Sequence, residues 1–286
     1  MNATAKVAPV TDGVTHPVAE MMMGGLTVLR AENDTQLAMA VQRPRNELAV
    51  FQGAVMELEL APEFARRAWY SIPYKDGDGT VYVEGPSIKA AMALARRWGN
   101  CANSFRIVDD NDERITVEGV FLDFETNMRT LRTVSIPKKA WSKKTNQMYP
   151  LRGDRLNTAV QAGGSKAVRN AILASLPQSL VDTYIKSAKE IATGTGKKAT
   201  PGAEPVDKRI ENAIAVFVKM GATKAAVDSY ISGLASESAE EVLQNLLGVH
   251  NALTDKQTTI EEVFPKNTGG TPEKASGQVP SIGELL

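Results

Sequence analysis

Between Arg129 and Asn170 ten cationic side chains face a single acid, in a chain whose 33 Lys and Arg balance 33 Asp and Glu overall. The cations are Arg129, Arg132, Lys138, Lys139, Lys143, Lys144, Arg152, Arg155, Lys166 and Arg169, and the acid is Asp154. The densest part, SIPKKAWSKKTNQMYP (135–150), sets four lysines around Trp141 and carries Tyr149 near its end. Lysines on an ordinary surface are interleaved with carboxylates, so this excess points to an anionic partner. Cations that track a phosphate backbone, with aromatic faces on which bases stack, are what single-strand binding requires. Each stacked base contributes about 1–3 kcal/mol and hardly depends on which base it is. Trp141 has two readings at this level, a stacking platform or wedge between bases and an anchor in the core. Lys138, Lys139, Lys143, Lys144, Arg152 and Arg155 are candidate phosphate contacts. Lys166, Arg169 and Asn170 follow at i, i+3 and i+4, which puts them on one helix face as the floor of a groove. Lys89, Arg96 and Arg97 form a second, smaller group that could reach nucleic acid or the acids of a neighbouring protomer.

Other chemistry finds little footing. His16 and His250 are the two histidines and Cys101 the one cysteine, which argues against a histidine triad, a multi-histidine metal site or a disulfide framework. No metal site and no cofactor is expected. GTGKKAT (194–200) has Ile191 where a phosphate-binding P-loop needs its first glycine and Lys198 where it needs Ser or Thr. KDGDGTVYVEG (75–85) has Thr80 and Val81 at an EF-hand's fifth and sixth positions, so it reads as a hairpin turn. The acids of DDNDE (109–113), with Asp123 and Glu125, keep a metal-dependent nuclease open as an alternative. A third reading is a protein that only coats DNA or assembles.

The elements that would position the basic segment can be read from pattern. Residues 1–20 read as a mobile arm. The stretch 45–69 is helix-like with a break at Pro62, and 71–87 reads as strand, glycine-rich turn and strand. A helix over 86–98 starts at Pro86 and stops at Gly99, with Ile88, Ala91, Met92 and Ala95 expected toward the core. NSFRIVDD, RITVEGVFLDFE and NMRTLRTVSI, separated by turns, predict an antiparallel meander. After a basic loop, Asp154 is the expected cap of a helix that holds Gly163 and Gly164, where a close backbone approach or a break is expected. The fold class is therefore α+β, a meander packed against helices. The domain reading is an arm 1–20, a core 21–193 for DNA binding and oligomerisation, a linker 194–206, a small all-α domain 207–264 and a disordered tail 265–286. The 86 residues from Pro201 onward carry twelve acids against seven bases. No apolar run reaches membrane-spanning length and the N-terminus lacks a signal-peptide core, so a cytoplasmic protein without membrane contact is expected.

This order resembles the core of phage single-strand annealing proteins, the superfamily that includes RecT, Red beta and ERF. The residues that carry the resemblance are a helix (86–98), a three-stranded meander (104–136), a basic connection and a long helix with SKAVRNAIL. YSIPYKDGDGTVYVEGPSIKAAMALARRWGN (70–100) also resembles a group of phage recombination-cassette proteins. The resemblance covers about residues 45–190 and rests on fold order rather than on a sharp motif. It implies an ATP-independent protein, not an enzyme, that binds single-stranded DNA and pairs complementary strands. It also implies a ring or helical filament of protomers with DNA, single-stranded or annealed, in a shared basic groove. For the acidic C-terminal region and its final SIGELL it implies recruitment of a partner exonuclease or a host single-strand-binding protein.

Overall fold

The computed structural model describes residues 34–76, 79–142, 145–194, 204–234 and 237–265. The arm 1–20, positions 195–203 of the linker, and the tail 266–286 with its SIGELL lie outside them, as do Lys143 and Lys144. The chain divides into a unit that ends at Pro44, in which helix α1 (34–42) is described, and a second unit from Arg45 onward.

The second unit is α+β. Helix α2 (Glu47–Leu60) is capped by Asn46, whose side chain accepts from the Ala49 N–H, and Pro62 opens the short α3 (Pro62–Ala65). Strands β1 (Trp69–Asp76) and β2 (Gly79–Pro86) pair antiparallel, from Trp69 opposite Pro86 to Asp76 opposite Gly79. Pro86 thus closes a strand, and Ser87 instead caps α4 (Ile88–Trp98), accepting from the Ala90 N–H. Gly99 stops that helix at φ 67°, a region where glycine carries no penalty. The core face of α4 is Ala90, Ala91, Leu94, Ala95 and Trp98, whereas Met92 is exposed. Small alanines let neighbouring elements approach, and Leu94 and Trp98 supply the bulk of that face.

The meander is present as expected: β3 (Cys101–Asp110), β4 (Arg114–Asp123) and β5 (Met128–Pro137), paired in that order. Strand β4 alternates strictly, with Ile115, Val117, Gly119, Phe121 and Asp123 buried on one face. Helix α5 (Asp154–Ser175) lies across that face. Gly163 and Gly164 leave it unbroken and serve close approach. A Cβ on Gly163 would fall 2.4 Å from Ile136, and one on Gly164 2.7 Å from the Phe105 ring. From the sheet side, a Cβ on Gly119 would lie 2.2 Å from the Ala167 carbonyl carbon. Helix and sheet therefore meet backbone to backbone. At the start of α5 the cap is Gly153 at φ 54°, and Asp154 is the first helical residue rather than the cap.

Helices α6 (Gln178–Thr193), α7 (Val206–Lys219), α8 (Lys224–Ser232), α9 (Ala239–Thr254) and α10 (Ile260–Val263) complete the chain. The region 207–264, read from sequence as a small domain of its own, shares one continuous hydrophobic cluster with the core, from Val50 through Trp69 and Tyr184 to Phe264. Helix α9 packs on β1: the Trp69 indole N–H donates to the Gln244 carbonyl at 3.2 Å, and Asn251 donates to the Trp69 carbonyl at 2.8 Å. His250 is buried on α9 beside Phe217. Among the described residues no helix is long and apolar enough to cross a membrane.

Candidate nucleic-acid interface

The basic segment is not a loop. Residues Lys139–Ser142 form β6 and Gln147–Pro150 form β7, an antiparallel hairpin with Trp141 opposite Met148 and Ala140 opposite Tyr149. Neither strand contains a glycine or an alternating apolar pattern, so pattern reading had nothing to grip. Asn146, at φ 52°, supplies the left-handed residue a tight connection needs, and its N–H bonds the Ser142 carbonyl at 2.8 Å. The hairpin is tied to the β3–β4 turn at its base, where the Lys138 N–H donates to the Glu113 carbonyl at 2.8 Å.

Strand geometry sorts the side chains by face. Lys139, Trp141 and Met148 share one face and are exposed, Trp141 and Met148 each at 55%. Trp141 is thus no core anchor. Tyr149, on the opposite face, is half-buried, and the Arg155 guanidinium stands 5.9 Å from its ring centroid. Lys138 departs from the expectation of uncompensated charge: its ammonium pairs with Asp110 at 2.5 Å, across from the acidic turn.

Arg152 and Arg155 are exposed at the start of α5. At 100° per residue, Arg155, Lys166 and Arg169 lie within about 60° of one another around the helix, so they form one strip about 21 Å long. Lys166 is exposed, but Arg169 is buried, its guanidinium 4.8 Å over the Tyr70 ring and 3.3 Å from the Asn170 side-chain oxygen. Asn170 is half-buried and engaged by its neighbour rather than presented outward. In the smaller group, Lys89 pairs with Asp255 at 2.8 Å and Arg97 with Glu57 at 2.7 Å, so both are matched by acids of their own chain.

Two of the carboxylates that kept a metal site open, Asp123 and Glu125, are engaged within the fold. Arg45 stacks 3.8 Å over Trp98 and donates to Asp123 at 3.0 Å, while the Trp98 indole N–H donates to the other Asp123 oxygen at 2.9 Å. Burial pushes the Asp123 carboxyl up, but the hydrogen bonds from Arg45, Trp98 and the Glu125 N–H outweigh it and hold the group below the usual carboxylate range. Glu125 accepts from the Arg45 backbone N–H at 2.9 Å and from Asn100 at 2.6 Å. Among the described residues no group of three His, Cys, Asp or Glu side chains converges as metal ligands would.

No protein-family model matches the chain, and no curated protein and no solved structure matches it.

Proposed function

We propose that this protein binds single-stranded DNA and anneals complementary strands without ATP or metal, as a ring or filament of identical protomers. The observation that carries the reading is the hairpin face on which an exposed tryptophan stands beside Lys139 and Met148. A ring of this size in water costs hydrophobic free energy, and a stacked base recovers about 1–3 kcal/mol of it. Arg155, the first cation of the α5 strip, stands beside Tyr149 on the hairpin's other face, and Lys143 and Lys144 fall between the two hairpin strands in sequence. A groove assembled from repeated protomers needs only a short basic strip from each, so a chain of zero net charge can present a continuous one. Annealing itself needs screened repulsion between two polyanions and accessible bases, not hydrolysis. The acidic C-terminal region would serve a partner exonuclease or single-strand-binding protein.

The test is annealing of two complementary fluorescent oligonucleotides, without nucleotide or divalent cation. Wild type should accelerate it, and Lys143→Glu with Lys144→Glu should abolish the acceleration. Trp141→Ala should weaken strand binding by about fivefold to a hundredfold, the equivalent of one lost stack. With about five phosphate contacts per protomer, the logarithm of affinity should fall with the logarithm of salt at a slope near −3.5. Binding without acceleration would reduce the protein to a coat, and no preference for DNA over a neutral polymer would sink the reading.

A further inference from the structure

The cationic strip of α5 runs into a cavity of about 560 Å³, bounded by the β1–β2 hairpin, the start of α4, α5 itself and the turn after α9. One wall is apolar, built from Ile72, Val83 and Ile88 with the Tyr70 ring beside them. The other is cationic, with Lys166, Arg169 and Lys256. Arg169 is the telling member. It is only 8% exposed, and among the described residues no carboxylate bonds it. Its contacts are the Tyr70 face at 4.8 Å and the Asn170 oxygen at 3.3 and 3.4 Å. The acid of the cavity wall, Asp255, is held by Lys89 at 2.8 Å. A guanidinium withdrawn from water without a counter-charge is costly, and a cation–π contact offsets about 2 kcal/mol of that. Its remaining N–H groups form a fork suited to a phosphate. Lys256, at φ 55°, is the left-handed residue that ends α9, where the Gln257 N–H bonds the Ala252 carbonyl at 2.9 Å, and this turn sets its side chain on the cavity wall.

We propose that this cavity binds one unpaired nucleotide of a bound strand, with its base on the Ile72, Val83 and Ile88 wall and its phosphate on Arg169, Lys166 and Lys256. The volume is within the range of small-ligand sites, and the split between an apolar wall and a cationic wall matches a base joined to a phosphate. Withdrawing a base costs least from a strand that is already single. Only the source of the nucleotide rests on the annealing reading; the cavity's chemistry stands apart from the hairpin.

Thymidine 5′-monophosphate, inorganic phosphate and thymidine titrated separately into the full chain by calorimetry test this. The monophosphate should bind saturably in the millimolar range and more tightly than either comparator. Lys166→Glu and Lys256→Glu, both at exposed positions, should each weaken it about tenfold, which is about 1.4 kcal/mol for a charge-assisted contact. Trp141→Ala should leave it unchanged. Monophosphate binding no tighter than phosphate, insensitive to both lysine variants, or absent would overturn the proposal. Mononucleotide binding without binding of oligodeoxythymidylate would keep the cavity and sink the strand-binding reading; oligonucleotide binding without mononucleotide binding would do the reverse.

Discussion

Arg45 and Asp123 form an ion pair whose side chains are 5% and 3% exposed, closed by the Trp98 ring and indole N–H. Removing one partner of such a pair leaves a buried charge uncompensated, so Asp123→Asn should cost about 3–5 kcal/mol, read from urea unfolding. The pH dependence has a definite sign. Asp123 titrates below its unfolded value of about 3.9, so its contribution is present above that pH and is lost as pH falls through the folded pKa. Wild type should therefore lose stability in acid below about pH 4, and Asp123→Asn should show a shallower acid limb. A second titration lies next door. Burial first, then the Asp123 charge, pushes the Cys101 thiol up to about 11, and its Sγ lies 3.3 Å from the Ala95 carbonyl. Iodoacetamide should label Cys101 slowly at pH 8, the rate should rise about tenfold per pH unit until near pH 11, and urea should remove the difference. Rapid labelling of the native protein at pH 8 would contradict this environment.

At the scale of elements, the contact between the β3–β4–β5 meander and α5 depends on what is missing at three glycines. A methyl at Gly119 meets backbone, at 2.2 Å from the Ala167 carbonyl carbon, and backbone cannot rotate away as a side chain can. Gly119→Ala should thus destabilise by about 3 kcal/mol or more by forcing helix and sheet apart. Gly53, within α2, gives the contrast: the nearest atom to its added Cβ is the flexible Arg97 guanidinium at 3.5 Å. Gly53→Ala should be neutral or stabilise by up to about 1 kcal/mol through helix propensity. Thermal melts of the two variants check both signs. The pair at 163–164 advertised this contact in the sequence, because two glycines inside a helical pattern need a packing reason. The meander was legible for a similar local reason, since its strands alternate and its turns carry Asn and Asp. Trp141 could not be assigned from sequence, because an exposed and a buried tryptophan look alike without the neighbouring strand. Nor could Arg169 be placed, since the ring beneath it is Tyr70, 99 positions earlier. Contacts of that range leave no periodic trace.

For the whole molecule, the C-terminal helices matter as part of the core rather than as an appendage. A change in composition across 194–206 suggested two domains, yet the apolar faces of α7 and α9 complete a cluster that begins at Val50. A Cβ on Gly248 would lie 2.8 Å from Ser71, so α9 and β1 touch as closely as the elements of one domain do. Two-state unfolding follows from such sharing, because neither part retains its buried surface once the other leaves. Tryptophan fluorescence reports β1 and α4 through Trp69 and Trp98, while far-ultraviolet dichroism reports every helix. In urea the two signals should move together with one midpoint. Deleting 204–265 removes the acceptor of the Trp69 indole and the donor to its carbonyl, and the remaining chain should lose its cooperative transition. If the fluorescence and dichroism midpoints separated, or if the truncated chain kept a sharp transition, the C-terminal helices would be an independent domain. With a single transition, the 255–257 turn that lines the cavity belongs to the same cooperative unit as β1, α4 and α5, and no part of that lining persists once the C-terminal helices unfold.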